Sequence, residues 1–194
     1  MELAATQKLL ARILTDSTLR NRFFADPVTI GASFGLSAEE ARVLAELPKD
    51  DVHDFTKSIR RQRLETVTAL LPDSVSILGR RFGELFREYV VKEQLPADAH
   101  PWTDAIRFCT ACVKAKKLKV EVQRWELELM RYEGARLEFL HGEKLLQFHF
   151  SMSGVTRAAK ALAAGKAVTS VLPIPGIAIF IRWSNAGAVS VLSI

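Results

Sequence analysis

Residues Lys57–Val91 read KSIRRQRLETVTALLPDSVSILGRRFGELFREYVV, and the spacing of apolar residues here decides the fold class. Val52, Phe55, Ile59, Leu64, Val67 and Leu71 recur at 3, 4, 5, 3 and 4 residues, which predicts a helix over Asp50–Leu71 with one buried stripe and a single slip. Pro72-Asp73 breaks that run, and Ser74–Leu78 leads to Gly79. Arg80–Val91 then places Phe82, Leu85, Phe86, Tyr89 and Val90 on one two-turn apolar face. Basic clusters flank both helices: Arg60, Arg61 and Arg63 on the first, Arg80 and Arg81 on the second. Two readings of these arginines stand, a solvated or salt-bridged helix flank and a docking surface for an acidic partner.

Toward the N-terminus the pattern predicts four short helices. Leu3–Leu14 is amphipathic, with charges inside its apolar run and no small-residue cleavage site, so it reads as a helix rather than a signal peptide. Thr15-Asp16-Ser17 supplies N-cap residues for a second helix through Leu19, Phe23 and Phe24. Asp26-Pro27 opens a third, which Gly35 closes, since proline suits the first helical turn. Ser37-Ala38-Glu39-Glu40 is a capping box, in which serine and glutamate satisfy each other's backbone amides, and it starts a fourth helix ending at Pro48.

Toward the C-terminus, Leu95–Pro101 is a two-proline loop. Trp102, Ile106, Cys109 and Val113 form the stripe of the next helix, and Val120–Leu140 predicts a long one with Val122, Trp125, Leu129, Tyr132 and Phe139 inward. Glu121, Glu126, Glu128, Glu133 and Glu138 are assigned to its exposed, alternating face. After His141-Gly142 the period changes to two: Leu146, Phe148, Phe150 and Met152 alternate with Leu145, Gln147, His149 and Ser151. Ile177, Ile179, Ile181 and Trp183 do the same, and Ser184–Gly187 suits a hairpin turn into a last strand. Ser153–Leu172 leaves two alternatives, a crossover helix over Arg157–Ala164 or a loop. The expected fold is α+β, a mainly α-helical body with a small C-terminal antiparallel β-sheet. Its parts are a helical module (1–48), a helical body (49–141) and a β-rich region (142–194).

The 194 residues suffice for one sizeable domain or two small ones, each with a real core. A net charge of +5 permits an acidic partner, although acidic and basic residues interleave through most helices. The most apolar window, Ala167–Ile181, is interrupted by Pro173, Pro175 and Gly176 and falls short of the roughly 20 apolar residues a spanning helix needs. The expected address is the cytoplasm, with no membrane span.

Catalytic and metal-binding patterns are not evident. Cys109-Thr110-Ala111-Cys112 has redox spacing but no strand before it, and no second pair of ligands completes a zinc site. A free cysteine on an apolar stripe behaves as a small hydrophobe. Gly79-Arg80-Arg81-Phe82-Gly83 lies between helices, without the strand and lysine of a phosphate loop. The four histidines, His53, His100, His141 and His149, occupy different elements. Lys114–Lys119, KAKKLK, joins two helices and is either a phosphate-contacting run or a solvated connection. The expectation is a protein with no catalytic residues, no cofactor and no metal of its own.

The order of these parts resembles a known group. Helices around RRQRLETVTALLPDSVSILGRRFGELFREYV, a Pro/His/Trp loop, a long acidic-basic helix with a Tyr-Glu segment and then paired strands are similar to partner proteins of multinuclear non-haem iron-dependent oxidative enzymes. Those enzymes modify ribosomally made peptides; the methanobactin-type partner belongs to the group, with related small proteins described as DNA-binding or as transcription regulators. The likeness covers roughly Asp50–Ile194. Thr15–Leu47 is similar to segments of some peptide precursors and of small subunits of ring-opening dioxygenases.

What the resemblance implies is a non-catalytic subunit that binds the iron enzyme through its helices and helps present the precursor peptide, the iron belonging to the enzyme. Arg60, Arg61, Arg63, Arg80 and Arg81 are then the expected enzyme-binding residues. Phe148, His149, Phe150, Ile179, Ile181 and Trp183 are expected to line or support a strand edge that takes the peptide. This chain departs from the group in its Ala/Gly/Lys-rich segment between strands and in a very apolar final hairpin. The alternative from another class is a nucleic-acid-binding regulator using Lys114–Lys119 and the arginines. A third is a membrane-surface protein inserting Ala167–Ile181.

Overall fold

A computed structural model describes residues 3–93, 100–115, 117–142, 146–168, 170–171, 175–182 and 189–193. Among them the chain is mainly helical. The helices are α1 (Leu3–Thr15), α2 (Ser17–Ala25), α3 (Pro27–Ser33), α4 (Ala38–Ala45), α5 (Lys49–Leu70), α6 (Pro72–Leu78), α7 (Arg80–Lys92), α8 (Pro101–Lys114), α9 (Arg124–His141) and α10 (Ser153–Ala163). The strands are β1 (Leu146–Met152), β2 (Pro175–Arg182) and β3 (Val189–Ser193). No helix among the described residues is long and apolar enough to cross a membrane.

The chain divides into two compact units, Met1–Gln62 with Val91–Asp98, and Arg63–Val90 with Ala99–Ile194. The division falls inside α5, between Gln62 and Arg63. The 142–194 region likewise belongs with the helical body, since α9 and α10 both pack on the strands.

In the first unit, side chains start each short helix. Asp16 accepts from Leu19 N at 3.0 Å, Asp26 from Thr29 N at 3.1 Å, and Ser37 with Glu40 closes the capping box. Short helices are marginal alone, so burial holds them: Leu9, Ile13, Phe23, Ile30, Leu36 and Val52 form the core. The expected slip in α5 disappears in the structure. Its inward row runs through the buried Val52, Thr56 and Val67 and the half-buried Ile59 and Arg63, in order spaced 4, 3, 4 and 4, with Thr56 only 2 % exposed while Phe55 is 56 % exposed. Two polar residues occupy positions that apolar counting assigned to their neighbours.

In the second unit, α9 is the central element. Met130 and Leu137 face a core built with Val67, Phe82, Phe86, Phe108 and Cys112. Leu129, Tyr132 and Phe139 face another, with Val155, Ala159, Ala178 and Phe180. Phe108 anchors the first core, edge-on to Phe82 and Phe86 at 5.3 and 5.2 Å, a geometry that adds to the roughly 2–3 kcal/mol from burying such a ring. Gly79 sits at φ +54 between α6 and α7, a conformation that a side chain would strain.

The sheet order is β1-β2-β3, both pairs antiparallel, with Phe148 opposite Ile179 and Ile179 opposite Leu192. Between β1 and β2, the segment left open by its composition is helix α10. Arg182 of β2 ties the sheet to the end of α9: its guanidinium donates to the carbonyls of Phe139, Leu140 and Gly142 and lies over the Phe139 ring at 5.1 Å.

Candidate functional site

The expected peptide-lining residues divide by register. Phe148 and Phe150 oppose Ile179 and Ile177, and Leu146 opposes Ile181. Ile177, Ile179 and Ile181 are half-buried. His149 instead opposes Ala178, which is fully buried, as is its strand neighbour Phe180, two residues on. In register, Ile179 and Ile181 share one face of β2, and His149 pairs with Ala178, a core position. Trp183 and the expected turn at Ser184–Gly187 lie outside the described residues.

The five arginines separate as well. Arg63 makes a bidentate pair with Asp104, 2.9 Å on each arm, with side-chain exposures of 16 % and 4 %. The Tyr89 hydroxyl donates to the same carboxylate at 2.8 Å, so α5, α7 and α8 meet at one buried anion. Arg81 pairs with Glu126 of α9 at 2.7 and 3.0 Å and donates to the Glu121 carbonyl at 3.0 Å. The hydrogen bond to Glu126 raises the Arg81 pKa, offset in part by burial. Both residues thus brace the fold, each with a carboxylate at contact distance within its own unit. Arg60, Arg61 and Arg80 stand outside those two pairs; Arg61 and Arg80 are exposed and Arg60 is half-buried.

Sequence reasoning missed two carboxylates by placing them on the exposed face of α9. Glu126 and Glu133 are 4 % and 2 % exposed. Glu133 accepts from Asp73 N at 3.0 Å, from Ser74 N at 2.8 Å and from the Ser74 hydroxyl, so it caps the start of α6 from another helix. Burial pushes its carboxyl up to about 7, against the pull of the Ser74 hydrogen bonds. The signal was present in the sequence: Glu126 and Glu133 lie two turns apart, on the sides of α9 that carry Leu129, Met130 and Leu137.

Both cysteines are buried free thiols. Burial raises Cys109 well above an ordinary thiol and Cys112 to about 12, so neither is a thiolate at neutral pH. Gly134 of α9 packs on Cys109; a Cβ there would lie 3.0 Å from the cysteine's own Cβ. Beside this contact, Ile106, Thr110, Val113, Arg131 and Ala135 line a groove of about 240 Å³ between α8 and α9. His100 and His141, distant in sequence, both stack on Trp102, with centroids 4.2 and 4.1 Å away. Among the described residues no group of three or more His, Cys, Asp or Glu converges as a metal site would require.

In the first unit, α2 and the start of α5 border a cleft of about 580 Å³ lined by Ser17, Arg20, Asn21, Phe24, Lys49, Asp50 and His53. Arg20 Nη1 donates to the Ile13 carbonyl and to Thr56 Oγ1, each at 3.1 Å. Burial and the neighbouring Arg60 lower its pKa, and Asp16 opposes them. Lys49 Nζ lies over the Phe24 ring at 5.6 Å. No family model matches the chain, and no curated protein matches it.

Proposed function

We propose that this protein is a non-catalytic partner subunit that binds an iron-dependent peptide-modifying enzyme and helps recruit its precursor peptide. The observation that carries the reading is the sheet order: among the described residues β1 and β3 are edge strands. An extended peptide can add to such an edge through main-chain hydrogen bonds, with side-chain contacts giving selectivity. Ile177, Ile179 and Ile181 form a half-buried apolar row on β2, between the two edges. Arg61 and Arg80 are exposed and Arg60 is half-buried, and these three are the arginines proposed for enzyme docking, while Arg63 and Arg81 make carboxylate pairs within their own unit. The iron would be held by the enzyme.

The test is a pull-down of the tagged full chain from its native host at moderate salt, followed by mass spectrometry and amide exchange with any peptide recovered. The expected result is an iron-containing oxidative enzyme and a short peptide, with the peptide slowing amide exchange in 146–152 or 189–193. Nucleic acid recovered without a protein partner would replace this reading with the regulator. A bound peptide that leaves both edge strands unprotected would remove the sheet from the mechanism.

A further inference from the structure

The α2/α5 cleft lies in the unit that does not contain the sheet, and the proposal for it does not depend on the sheet-edge reading. Among the described residues Arg20 hydrogen-bonds only neutral acceptors, both through Nη1, leaving Nε and Nη2 of a half-buried guanidinium without a partner. A guanidinium presents its donors as a planar fork that matches a carboxylate's two oxygens. The other polar groups lining the cleft, Ser17, Asn21, Lys49 and His53, have no hydrogen-bond or ion-pair partner among the described residues. Each can donate a hydrogen bond. Arg60, close enough to Arg20 to depress its pKa, adds to the positive charge that Arg20 and Lys49 bring.

The composition of the cleft also limits the ligand. Asp50 lines it too, so the local positive excess suits one carboxylate and opposes a polyanion. Phe24 lies under Lys49 and offers an apolar surface that a neighbouring aliphatic side chain can cover. We propose that this cleft is a carboxylate-binding site for an acidic peptide segment, with Arg20 gripping the carboxylate and Lys49, His53 and Asn21 closing around it. A nucleic-acid backbone would bring a phosphate at every step against Asp50, and a peptide need not.

Amide chemical-shift titration of the isotopically labelled full chain tests this. The probes are an end-blocked Leu-Glu-Leu peptide, its Leu-Gln-Leu counterpart, inorganic phosphate and a short single-stranded DNA. The expected result is saturable shifts for the Glu peptide in 17–25 and 49–53. The Gln peptide should bind at least about tenfold more weakly, that ratio being roughly one charge-assisted contact. Lys49→Gln and His53→Gln are both at exposed positions and leave the fold intact. Each should weaken the Glu peptide about three- to tenfold, whereas Lys117→Gln should not change it. Equal binding of the two peptides, tighter binding of phosphate or DNA in the same cleft, or shifts confined to 114–119 would overturn the proposal. Loss of sheet-edge protection with this binding retained would overturn only the reading of the sheet.

Discussion

Helix α5 presents a polar residue to the interior twice, and the two sites differ in how charge is met. In the second unit Arg63 reaches Asp104 with both arms and shares it with Tyr89, so the buried cation and anion neutralise each other. In the first unit the helix offers the neutral Thr56, itself tied to the Val52 carbonyl at 2.8 Å, and the cation comes from Arg20 of α2. There the guanidinium meets only neutral oxygens at contact distance, with Asp16 acting from further away. The difference teaches that two guanidinium groups at one helix can be met in opposite ways. A closed pair holds a fold together; an open one keeps donors for something else.

Breaking the closed pair should have the largest effect. Arg63→Met leaves Asp104, 4 % exposed, with the Tyr89 hydroxyl as its remaining donor, and removing one partner of a buried ion pair costs about 3–5 kcal/mol. All three tryptophans (Trp102, Trp125, Trp183) and both tyrosines (Tyr89, Tyr132) fall in the second unit, so fluorescence-detected urea unfolding reports on that unit. An unchanged midpoint in Arg63→Met would show that the pair adds nothing to stability. The same geometry means that charge reversal at Arg63 reports unfolding rather than lost enzyme docking, so docking is tested at Arg60, Arg61 and Arg80.

A second buried charge in that unit, Glu133, faces amides instead of a cation, and this should appear in pH dependence. The folded carboxyl sits near 7 against an ordinary 4.5, so the folded state holds its proton more tightly than the unfolded chain. That contribution is fully present below about 4.5 and is lost as pH rises through about 7. The gap corresponds to roughly 3 kcal/mol, with burial as the main cause. Unfolding free energy from fluorescence should therefore fall between mildly acidic and mildly alkaline pH, and Glu133→Gln should flatten the curve. A slope surviving in Glu133→Gln would assign it to other groups, among them Asp73, whose pKa burial also raises.

The mainly helical body was legible because its signals are local. The Asp16 and Asp26 caps and the Ser37/Glu40 box act within a few residues, and each starts a helix as the sequence reading expects; Pro72 ends the run of α5 as expected and also opens α6, which that reading did not assign. What could not be read depends on partners far along the chain. Arg63 looks like a surface charge until Asp104, 41 residues later, is placed against it. Glu133 looks solvated until the first turn of α6 arrives 59 residues away in sequence. Thr56 and Arg63 completed a stripe that apolar counting took for a slip. The same limit applies to the candidate sites: periodicity gives alternation around His149, but only the strand register shows that its partner is the buried Ala178.

Opening the first unit should cost less. Arg20→Met removes two hydrogen bonds to neutral acceptors and no contact ion pair, which predicts a loss of about 1–2 kcal/mol. Aromatic fluorescence does not report on α1–α4, so far-ultraviolet circular dichroism and amide exchange in α1 and α2 are the measurements. A loss as large as that of Arg63→Met would mean that Arg20 is a structural brace and would weaken its assignment to the cleft.

The smallest effect separates charge from capping at Asp16. Its carboxylate accepts from Leu19 N at 3.0 Å and pairs with Arg12 at 3.2 Å on the surface, while attracting Arg20 from a distance. Asparagine caps a helix about as well as aspartate, so Asp16→Asn removes the charge and keeps the cap. Exposed ion pairs contribute little, so this change should alter stability by less than about 0.5 kcal/mol. Asp16→Ala, which loses the cap as well, should cost about 1 kcal/mol. If Arg20 depended on Asp16 as Arg63 depends on Asp104, the asparagine variant would instead lose several kcal/mol and approach the alanine one. Amide exchange in α2 distinguishes the two outcomes, since lost capping frays its first turn while a lost charge leaves that turn protected.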